Sequence, residues 1–535
     1  MTPITLQWLS LVGIIWLQSI NGTNSNFPAY SSQLKLLLSI SQLQLNNLAF
    51  ASDAGKLFGW LSGIAADYLP LWLVLIFGSS LGLIGYGIQY LFLIGYISNL
   101  SYGLIFFLTI LAGNSICWIN TVCYLVTIKN FPQDRQLAIG LTGSYLGLSA
   151  KIYTNFVDVI VFHSSPVGRA RVYLLLSSVL PFAISVVAAP VVRVINVGKI
   201  ITKRSKVAFI LILVITIATG VFAVMGSLGS ASSWLSPFTS AVGIVSLLLA
   251  PLLIPLGQQI RQLILAIGLN REEKVYIEEI SEDSMEKMES GVKSRDNSIS
   301  SEIDEFSESV DDNTTETKDE ISVVEEIGVK LMLRRLNFWL YFFVYLFGIT
   351  LGLVFLNNLG QIAESRRCSA SVLVSLSSSF GFFGRLIPSL KKYYKISRTA
   401  FVVALMAPTG GAFFLLVNTN NLWLYMSTAI IGVCTGAMTS ISATLTAELF
   451  GTKHFGVNHN VVVVNIPIGS CLFGYLAALV YRKQGGSAAD GKCFGVDCYR
   501  STFILWGSLC FFGTFLALML YARTRKFYLH NSQRS

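Results

Sequence analysis

Residues 51–70 read ASDAGKLFGWLSGIAADYLP and place three ionisable side chains in an otherwise apolar segment. Asp53 and Lys56 lie near its start, and Asp67 lies near its end. Each charged group is costly to bury in a bilayer, so it is tolerated only where it faces protein or a water-filled interior. Whether this segment spans a membrane therefore depends on the rest of the chain.

The composition is that of a polytopic membrane protein. Of the 535 residues, 53% are hydrophobic and only 12% are charged, and the mean hydropathy is +0.64. A soluble protein of this size would expose too much apolar surface, whereas lipid can face such a surface. We expect an all-α chain, because helices satisfy their backbone hydrogen bonds within the membrane.

The acidic residues are concentrated in one segment. Residues 271–330 contain 20 of the 28 Asp and Glu residues but only 7 of the 38 Lys and Arg residues. A segment rich in Ser and Glu and poor in aromatic residues predicts disorder. We expect a disordered cytoplasmic loop over residues 266–335, which is either a site for a kinase or regulatory protein or a solvated linker. The strongly basic remainder predicts contact with anionic lipid, not with nucleic acid.

Fourteen segments are long and apolar enough to be candidate spans, since a span needs roughly 20 mainly apolar residues. They start near Leu6, Asn46, Leu71, Ser101, Leu137, Val172, Val207, Pro237, Leu336, Ala370, Thr399, Leu422, Val457 and Ser501.

The loops after even-numbered segments contain more Lys and Arg, as in KIITKRSK at 199–206. This bias predicts that both termini are cytoplasmic. The plasma membrane is favoured, with an endomembrane as the alternative. The loop at 482–500 then lies outside the cytoplasm, where Cys493 and Cys498 are expected to form a disulfide.

Polar side chains form stripes on several candidate spans. At 100° per residue, Asp53, Lys56, Gly63 and Asp67 lie within about 120° of one another. The other candidate pathway residues are Asn114, Lys151, Asn155, Asp158, Asn357, Asn358 and Gln361. Converging polar stripes predict a pathway for a polar solute, and the alternative is that polar groups join helices to one another. For Lys151 the pathway is favoured, because packing does not require an ammonium group. For Asp53 and Lys56 both interpretations stay open, because residues three apart can pair within one helix.

Several stretches resemble the plant nodulin-like branch of the major facilitator superfamily, which includes the NUCLEAR FUSION DEFECTIVE-like proteins. They are FPAYSSQLK at 27–35, NFPQDRQLAIGLTGSYLGLSAKIYTNF at 130–156, FLNNLGQIAES at 355–365, AELFGTKHFG at 447–456 and LWGSLCFFGTFLAL at 505–518. The resemblance covers nearly the whole chain. The family usually has a lysine where this chain has Gly143, whereas this chain has Lys151 two turns later.

The resemblance implies a facilitator fold, in which two six-helix bundles are separated by an inserted pair of helices. The expected units are an N-terminal bundle (1–196), the inserted pair (197–265), the acidic loop (266–335), a C-terminal bundle (336–526) and a cytoplasmic tail (527–535).

Facilitators also carry a cytoplasmic motif of a glycine, an aspartate and basic residues. Gly63 and Asp67 match its start, and the second bundle retains Gly384 and Arg385 in GFFGRLIPSLKK. The resemblance therefore implies that Gly63, Asp67 and Arg385 belong to a cytoplasmic gate, with Arg385 as the partner of Asp67. Glu448 and His454 flank the loop after the twelfth segment, where we expect gate or helix-end residues.

The leading hypothesis is a secondary transporter of a small polar solute that works by alternating access. Lys56 and Lys151 favour an organic or inorganic anion, and Asp53 or Asp158 is the candidate for proton coupling. The alternative is a transporter-like receptor or regulatory protein that signals through the acidic loop.

An enzyme is not expected. The four histidines form no metal-spaced or triad-like cluster, and no GxxxxGK[ST] motif for ATP is present. No metal or other cofactor is predicted.

Overall fold

The computed structural model describes residues 2–161, 166–195, 203–225, 236–264, 326–388, 397–485 and 493–533, and these residues are mostly helical. The helices before the acidic segment are α1 (Pro3–Ile20), α2 (Phe27–Leu38), α3 (Gln42–Ala54), α4 (Gly59–Tyr68), α5 (Leu71–Leu93), α6 (Tyr102–Asn130), α7 (Arg135–Ile160), α8 (Pro166–Ala188), α9 (Lys203–Met225), α10 (Pro237–Leu249) and α11 (253–264). Those after it are α12 (Val329–Met332), α13 (Leu336–Tyr345), α14 (Leu351–Ser365), α15 (Ala370–Leu386), α16 (Arg398–Leu415), α17 (Asn421–Phe450), α18 (Phe455–Val463), α19 (Asn465–Gly485) and α20 (Asp497–Gln533).

Local sequence determines where several of these helices begin. The side chains of Ser101, Ser397 and Asn420 accept hydrogen bonds from the first-turn amides of α6, α16 and α17. Such caps satisfy backbone donors that have no partner within the helix. The apolar residues that follow each cap then extend the helix through the bundle.

The helices pack in two groups. Helices α1–α8 contact one another and are called here the N-terminal bundle; helices α12–α20 contact one another and are called the C-terminal bundle. The two groups meet where α7 packs against α15 and α17, and where α3 and α4 pack against α19 and α18. Helices α9–α11 pack mainly beside α7, α1 and α15. The predicted boundaries at 196/197 and 265/266 fall outside the described residues, as does nearly all of the acidic loop.

Eleven helical segments in the described parts of the chain are long and apolar enough to cross a membrane. Three of the fourteen predicted spans are not among them, so the predicted count is not confirmed. The second is broken by a 3₁₀ turn and carries Asp53, Lys56 and Asp67. The fifth, α7, is helical throughout its 26 residues but is more polar, and the tenth, α15, has only 17 residues.

Several helix ends that are far apart in sequence meet at one face of the molecule, called here the terminal face. The Arg398 guanidinium, at the start of α16, donates to the Gln136 side chain at the start of α7 (3.1 Å). Near the end of α20, Arg523 donates to Asn337 at the start of α13 (2.9 Å). Helix α1 begins at the same face, where the Gln7 side chain donates to the Asn130 carbonyl.

Candidate functional site

Three helix interruptions lie close together where the two bundles meet. A 3₁₀ turn (Gly55–Phe58) separates α3 from α4, and a π-helical turn (Leu346–Thr350) separates α13 from α14. A turn at Val464 separates α18 from α19. The 3₁₀ turn contacts α18 and α19, and α19 also contacts the π-helical turn. Interrupted helices at the contact between repeats are typical of transporter binding sites, because their ends expose polar backbone groups.

The 3₁₀ turn is held against α6 by direct backbone contact. A Cβ atom added to Gly113 would overlap the carbonyl of Ser52, and one added to Gly55 would overlap the backbone of Asn114. Glycine is therefore required at both positions for α3 and α6 to approach this closely. This contact fixes the position of the Asp53 and Lys56 side chains next to the C-terminal bundle.

The Asp53 carboxylate links the two bundles. Its Oδ1 pairs with the Lys56 ammonium at 2.5 Å, and its Oδ2 accepts hydrogen bonds from Asn357 Nδ2 (3.0 Å) and Ser470 Oγ (2.7 Å). Asp53 and Lys56 are only 3% and 8% exposed. Hydrogen bonds to an ionised group are roughly twice as strong as neutral ones. The Asp53 carboxylate, which pairs with Lys56 close to it in sequence, therefore also binds α14 and α19 of the other bundle.

A cavity of about 260 Å³ lies beside this carboxylate. Its polar lining includes the amides of Asn47, Asn357 and Asn358 and the hydroxyl of Ser470. The rings of Phe50, Phe106 and Tyr475 contribute apolar surface. Two of the lining residues, Asn357 and Ser470, also donate hydrogen bonds to Asp53. A movement of either side chain in the cavity therefore changes the hydrogen bonding of the carboxylate.

One cation, Arg385, lies where α7 of the N-terminal bundle packs against α15 of the C-terminal bundle, and a second, Lys151, follows on α7. The Arg385 guanidinium donates to the Gly381 carbonyl in its own helix (3.1 Å) and lies against Gly147. Lys151 is one turn beyond Gly147 on α7, within about 40° of the same face. It interacts electrostatically with Asp158.

Other predicted pathway residues have partners away from that contact. Asp158 forms an ion pair with Arg169 (2.7 Å), Asn155 donates to Ser240 of α10 (3.1 Å), and Gln361 accepts from Tyr499 (2.9 Å). Asn114 packs beside the 3₁₀ turn, and its side-chain oxygen is buried. The structure thus divides the predicted pathway residues among several local environments.

A polar cluster joins the bundles at the terminal face. Glu448 of α17 pairs with Arg398 of α16 and lies 3.7 Å from the guanidinium of Arg135 on α7. The side-chain oxygen of Gln136 accepts hydrogen bonds from Arg398 and from Thr444 of α17. Because Arg135 and Gln136 belong to the other bundle, this cluster joins the two bundles at the terminal face.

Asp67 also lies at the terminal face, but its partner differs from the predicted one. Its carboxylate is 4.0 Å from the His454 ring nitrogen, whereas the contacts of Arg385 are with Gly381 and Gly147. The expected Asp67–Arg385 pair is therefore wrong, because α15 places Arg385 against α7. Gly63 lies against the backbone of Gly456, where an added Cβ would come within 2.5 Å.

Sequence reasoning missed several residues that connect the bundles. Asn460 of α18 donates to Thr121 Oγ1 of α6 (2.9 Å), and that hydroxyl is 2.6 Å from the hydroxyl of Ser62 on α4. Gln136 and Ser470 were missed as well. Asn460 and Gln136 carry amide side chains in membrane-embedded or terminal-face helices. Such amides could have been identified from the sequence as candidate contacts between the bundles. A serine such as Ser470 gives none, because serines are common in these helices.

The cysteines fall into two classes. Cys493 and Cys498 are joined by a disulfide, with their Cα atoms 5.8 Å apart. The loop they close docks on the end of α14, where the Gly495 amide donates to the Ser365 carbonyl (2.9 Å). The other six cysteines are free thiols. Among the described residues, no group of three or more His, Cys, Asp or Glu side chains is placed to hold a metal ion.

Comparison of the sequence with known families identifies both halves of the chain. Residues 7–256 match the Nodulin-like family, and residues 320–530 match the family described as NFD4, C-terminal domain. The chain is 37% identical to Protein NUCLEAR FUSION DEFECTIVE 4 of Arabidopsis thaliana over 542 aligned residues, which cover 98% of this chain and 89% of that protein. A shorter alignment, 26% identical over 140 residues, relates 25% of this chain to 22% of the probable transporter mch1 of Emericella nidulans.

Solved structures of major facilitator superfamily transporters share the fold. The proton:xylose symporter XylE matches with a TM-score of 0.55 at 9% identity, covering 97% of this chain and 95% of that chain. A bacterial homologue of the human drug peptide transporters PepT1 and PepT2 matches with a TM-score of 0.51 at 11% identity, covering 98% and 100%. The chain is a multi-pass membrane protein whose fold is shared by transporters of the major facilitator superfamily, and it belongs to the nodulin-like family that includes Protein NUCLEAR FUSION DEFECTIVE 4 of Arabidopsis thaliana.

Proposed function

We propose that the protein is a secondary carrier that moves a small polar solute by alternating access of its two bundles. The observation that carries this proposal is the position of Asp53. One buried carboxylate is bonded to Lys56 in its own bundle and to Asn357 and Ser470 in the other. A change at this carboxylate alters the contact between the bundles, which is the contact that alternating access must break and remake.

The arrangement of contacts supports a state closed at the terminal face. The cluster around Glu448 and the Asp67–His454 contact lie at that face. The cavity lies on the other side of Asp53, since Asn47 precedes Asp53 by six residues, about 9 Å along α3. With both termini in the cytoplasm, this conformation faces outward. The Lys and Arg distribution supports that orientation, and we propose the plasma membrane as the location.

The charge balance supports an anion as the solute. Lys56 and Arg385 lie where the bundles meet, Asp53 neutralises Lys56, and Lys151 lies one turn beyond Gly147, the residue that Arg385 contacts. The carboxylate with which Lys151 interacts, Asp158, is also bonded to Arg169. Net positive charge in a site of low dielectric attracts an anion strongly. We therefore propose an organic or inorganic anion that binds near Lys151 and Arg385.

Proton coupling is proposed at Asp53. A proton on this carboxylate would remove the attraction to Lys56 and weaken the charge-assisted bonds from Asn357 and Ser470. All three contacts would change in one step. Protonation would then favour separation of α14 and α19 from α3, which couples a proton to the rocking of the bundles.

The proposal is tested by screening the purified protein against a library of metabolites and inorganic anions, with thermal unfolding as the readout. A ligand at 100 times its dissociation constant stabilises the folded state by about 2.7 kcal/mol. We expect stabilisation by an anion that is lost in Lys151→Ala and retained in Lys129→Ala, whose lysine is exposed near the end of α6. If the wild type is stabilised only by neutral or cationic compounds, the anion proposal is wrong. If no compound stabilises it, the carrier proposal is contradicted.

A further inference from the structure

The inserted helices α9–α11 lie over one lateral junction between the bundles. Helix α9 contacts both α7 of the N-terminal bundle and α15 of the C-terminal bundle. This is the α7–α15 junction that contains Gly147 and Arg385. A second junction is formed by α3 and α4 with α19 and α18, and the cavity beside Asp53 lies where α3 meets α14 and α19. The inserted helices therefore lie across the junction that holds Arg385, with α9 in contact with both of its sides.

The inserted helices are anchored to the N-terminal bundle by directional bonds. Each of four hydrogen bonds joins a residue of α9–α11 to α1, its cap or α7: Tyr145–Thr216 (3.2 Å), Asn155–Ser240 (3.1 Å), Trp16 to the Leu248 carbonyl (2.8 Å) and Gln262–Thr2 (2.8 Å). Hydrogen bonds between membrane helices each contribute modestly to helix association. These four hydrogen bonds lie at both ends of the inserted helices. Together they favour movement of the inserted helices and the N-terminal bundle as one body.

The contact with the C-terminal bundle has a different chemistry. The ring of Phe382 on α15 lies against Gly220 of α9, so closely that a Cβ at Gly220 would overlap it. The same ring packs edge-on against Tyr145 (6.2 Å between ring centroids) and joins a cluster with Phe209 and Ile212 of α9. Apolar contacts have no preferred direction, so they tolerate sliding better than hydrogen bonds do.

We propose that the inserted helices are a sliding lateral seal: they move with the N-terminal bundle, and Phe382 slides over Gly220 when the bundles rock. The seal keeps lipid away from Arg385 and from Lys151, one turn beyond Gly147 on α7, because exposing a charged group to hydrocarbon is strongly unfavourable. This inference rests on the proposed alternating-access function. It assigns the inserted helices to a protective role at the charged junction rather than to solute binding.

The test compares two cross-links that fix the inserted helices to different bundles. In a background with the six free cysteines replaced, Gly220→Cys/Phe382→Cys joins α9 to the C-terminal bundle. The control, Asn155→Cys/Ser240→Cys, joins α10 to the N-terminal bundle, to which it is already bonded. Each pair is bridged with a short bifunctional thiol reagent. Fluorophores on non-canonical amino acids at positions 129 and 453, exposed on the two bundles, report the distance between the bundles in nanodiscs.

We expect the unbridged protein and the bridged control to sample two distances, and the 220–382 bridge to leave only one. If the 220–382 bridge leaves both distances, or if it does not form while the control bridge does, the sliding contact is wrong. If the unbridged protein shows a single distance under all solution conditions, alternating access itself fails, and the proposed function is contradicted independently of the seal.

Discussion

The Ser470 hydroxyl donates a 2.7 Å hydrogen bond to the Asp53 carboxylate, although the two residues are 417 positions apart. Ser470 is on α19 and Asp53 is next to the 3₁₀ turn after α3, so this bond crosses from one bundle to the other. The same carboxylate oxygen accepts from Asn357, and the other oxygen pairs with Lys56. The Asp53 carboxylate therefore takes part both in an ion pair and in the contact between the bundles, so a change in either one affects the other.

The first prediction concerns that ion pair. Asp53→Asn leaves a buried ammonium without its carboxylate, and Lys56→Met leaves a buried carboxylate without its ammonium. Removing one member of a buried pair costs about 3–5 kcal/mol. We expect each single variant to lower the thermal unfolding midpoint, and the double variant Asp53→Asn/Lys56→Met to lower it by much less than the sum. Additive effects in this double-mutant cycle would contradict a direct pair.

The second prediction separates two adjacent asparagines. Asn357 donates to Asp53 in the other bundle, whereas Asn358 donates to the Val354 carbonyl in its own helix (2.8 Å). A hydrogen bond to a charged group contributes about 1.5–3 kcal/mol. We expect the cost of Asn357→Ala in unfolding free energy to shrink in an Asp53→Asn background, since residues in contact couple. The cost of Asn358→Ala should be the same in both backgrounds. An unchanged cost for Asn357→Ala would mean that the inter-bundle bond contributes nothing.

The sequence predicted the parts of this site that have a local signature. Asp53 and Lys56 are conspicuous because charges are rare in apolar segments, and Asn357 and Asn358 are conspicuous because they are adjacent amides in such a segment. Ser470 has no such signature, since a single serine in a helix is ordinary. Its importance comes from a contact between segments far apart in sequence, and no local pattern encodes which segments meet.

The same reasoning explains the wrong partner for Asp67. Asp67 of the motif that begins at Gly63 lies at the terminal face beside His454, but a motif does not specify the rotation of the facing helix. Helix α15 places Arg385 against Gly147, and the short loop before α18 brings His454 to Asp67 instead. Helix α7 and the segment around Asp53 are not among the eleven described segments that are long and apolar enough to cross a membrane, and their contacts with the other bundle replace contact with lipid there.

The third prediction concerns closure of the terminal face. Glu448→Gln removes the charge that holds Arg398 and approaches Arg135. A loss of about 1.4 kcal/mol in the stability of the closed terminal face shifts the equilibrium between closed and open forms tenfold. We therefore expect the population of the form that is open at the terminal face to increase roughly tenfold. The measurement is the alkylation rate of Cys117, which is buried beside Gly59 at the centre of the site, with the other free cysteines replaced.

The control for this measurement is Asp497→Asn. Asp497 lies 3.7 Å from Arg500 in an exposed pair, and exposed pairs contribute little. It lies at the start of α20, away from the terminal face. Equal alkylation rates in wild type, Glu448→Gln and Asp497→Asn would show that the cluster around Glu448 does not control access.

The fourth prediction uses two glycines to test whether backbone contact positions Asp53. An added Cβ at Gly113 would overlap the Ser52 carbonyl, whereas one at Gly143 has no neighbour within 4 Å. Overpacking of this kind costs about 1–3 kcal/mol, so Gly113→Ala should lower the thermal midpoint and move the 3₁₀ turn away from α6. Gly143→Ala, within α7, should be neutral or stabilising by up to about 1 kcal/mol, because alanine favours helix. If Gly113→Ala is as stable as Gly143→Ala, the close approach of α3 to α6 does not hold Asp53 in place.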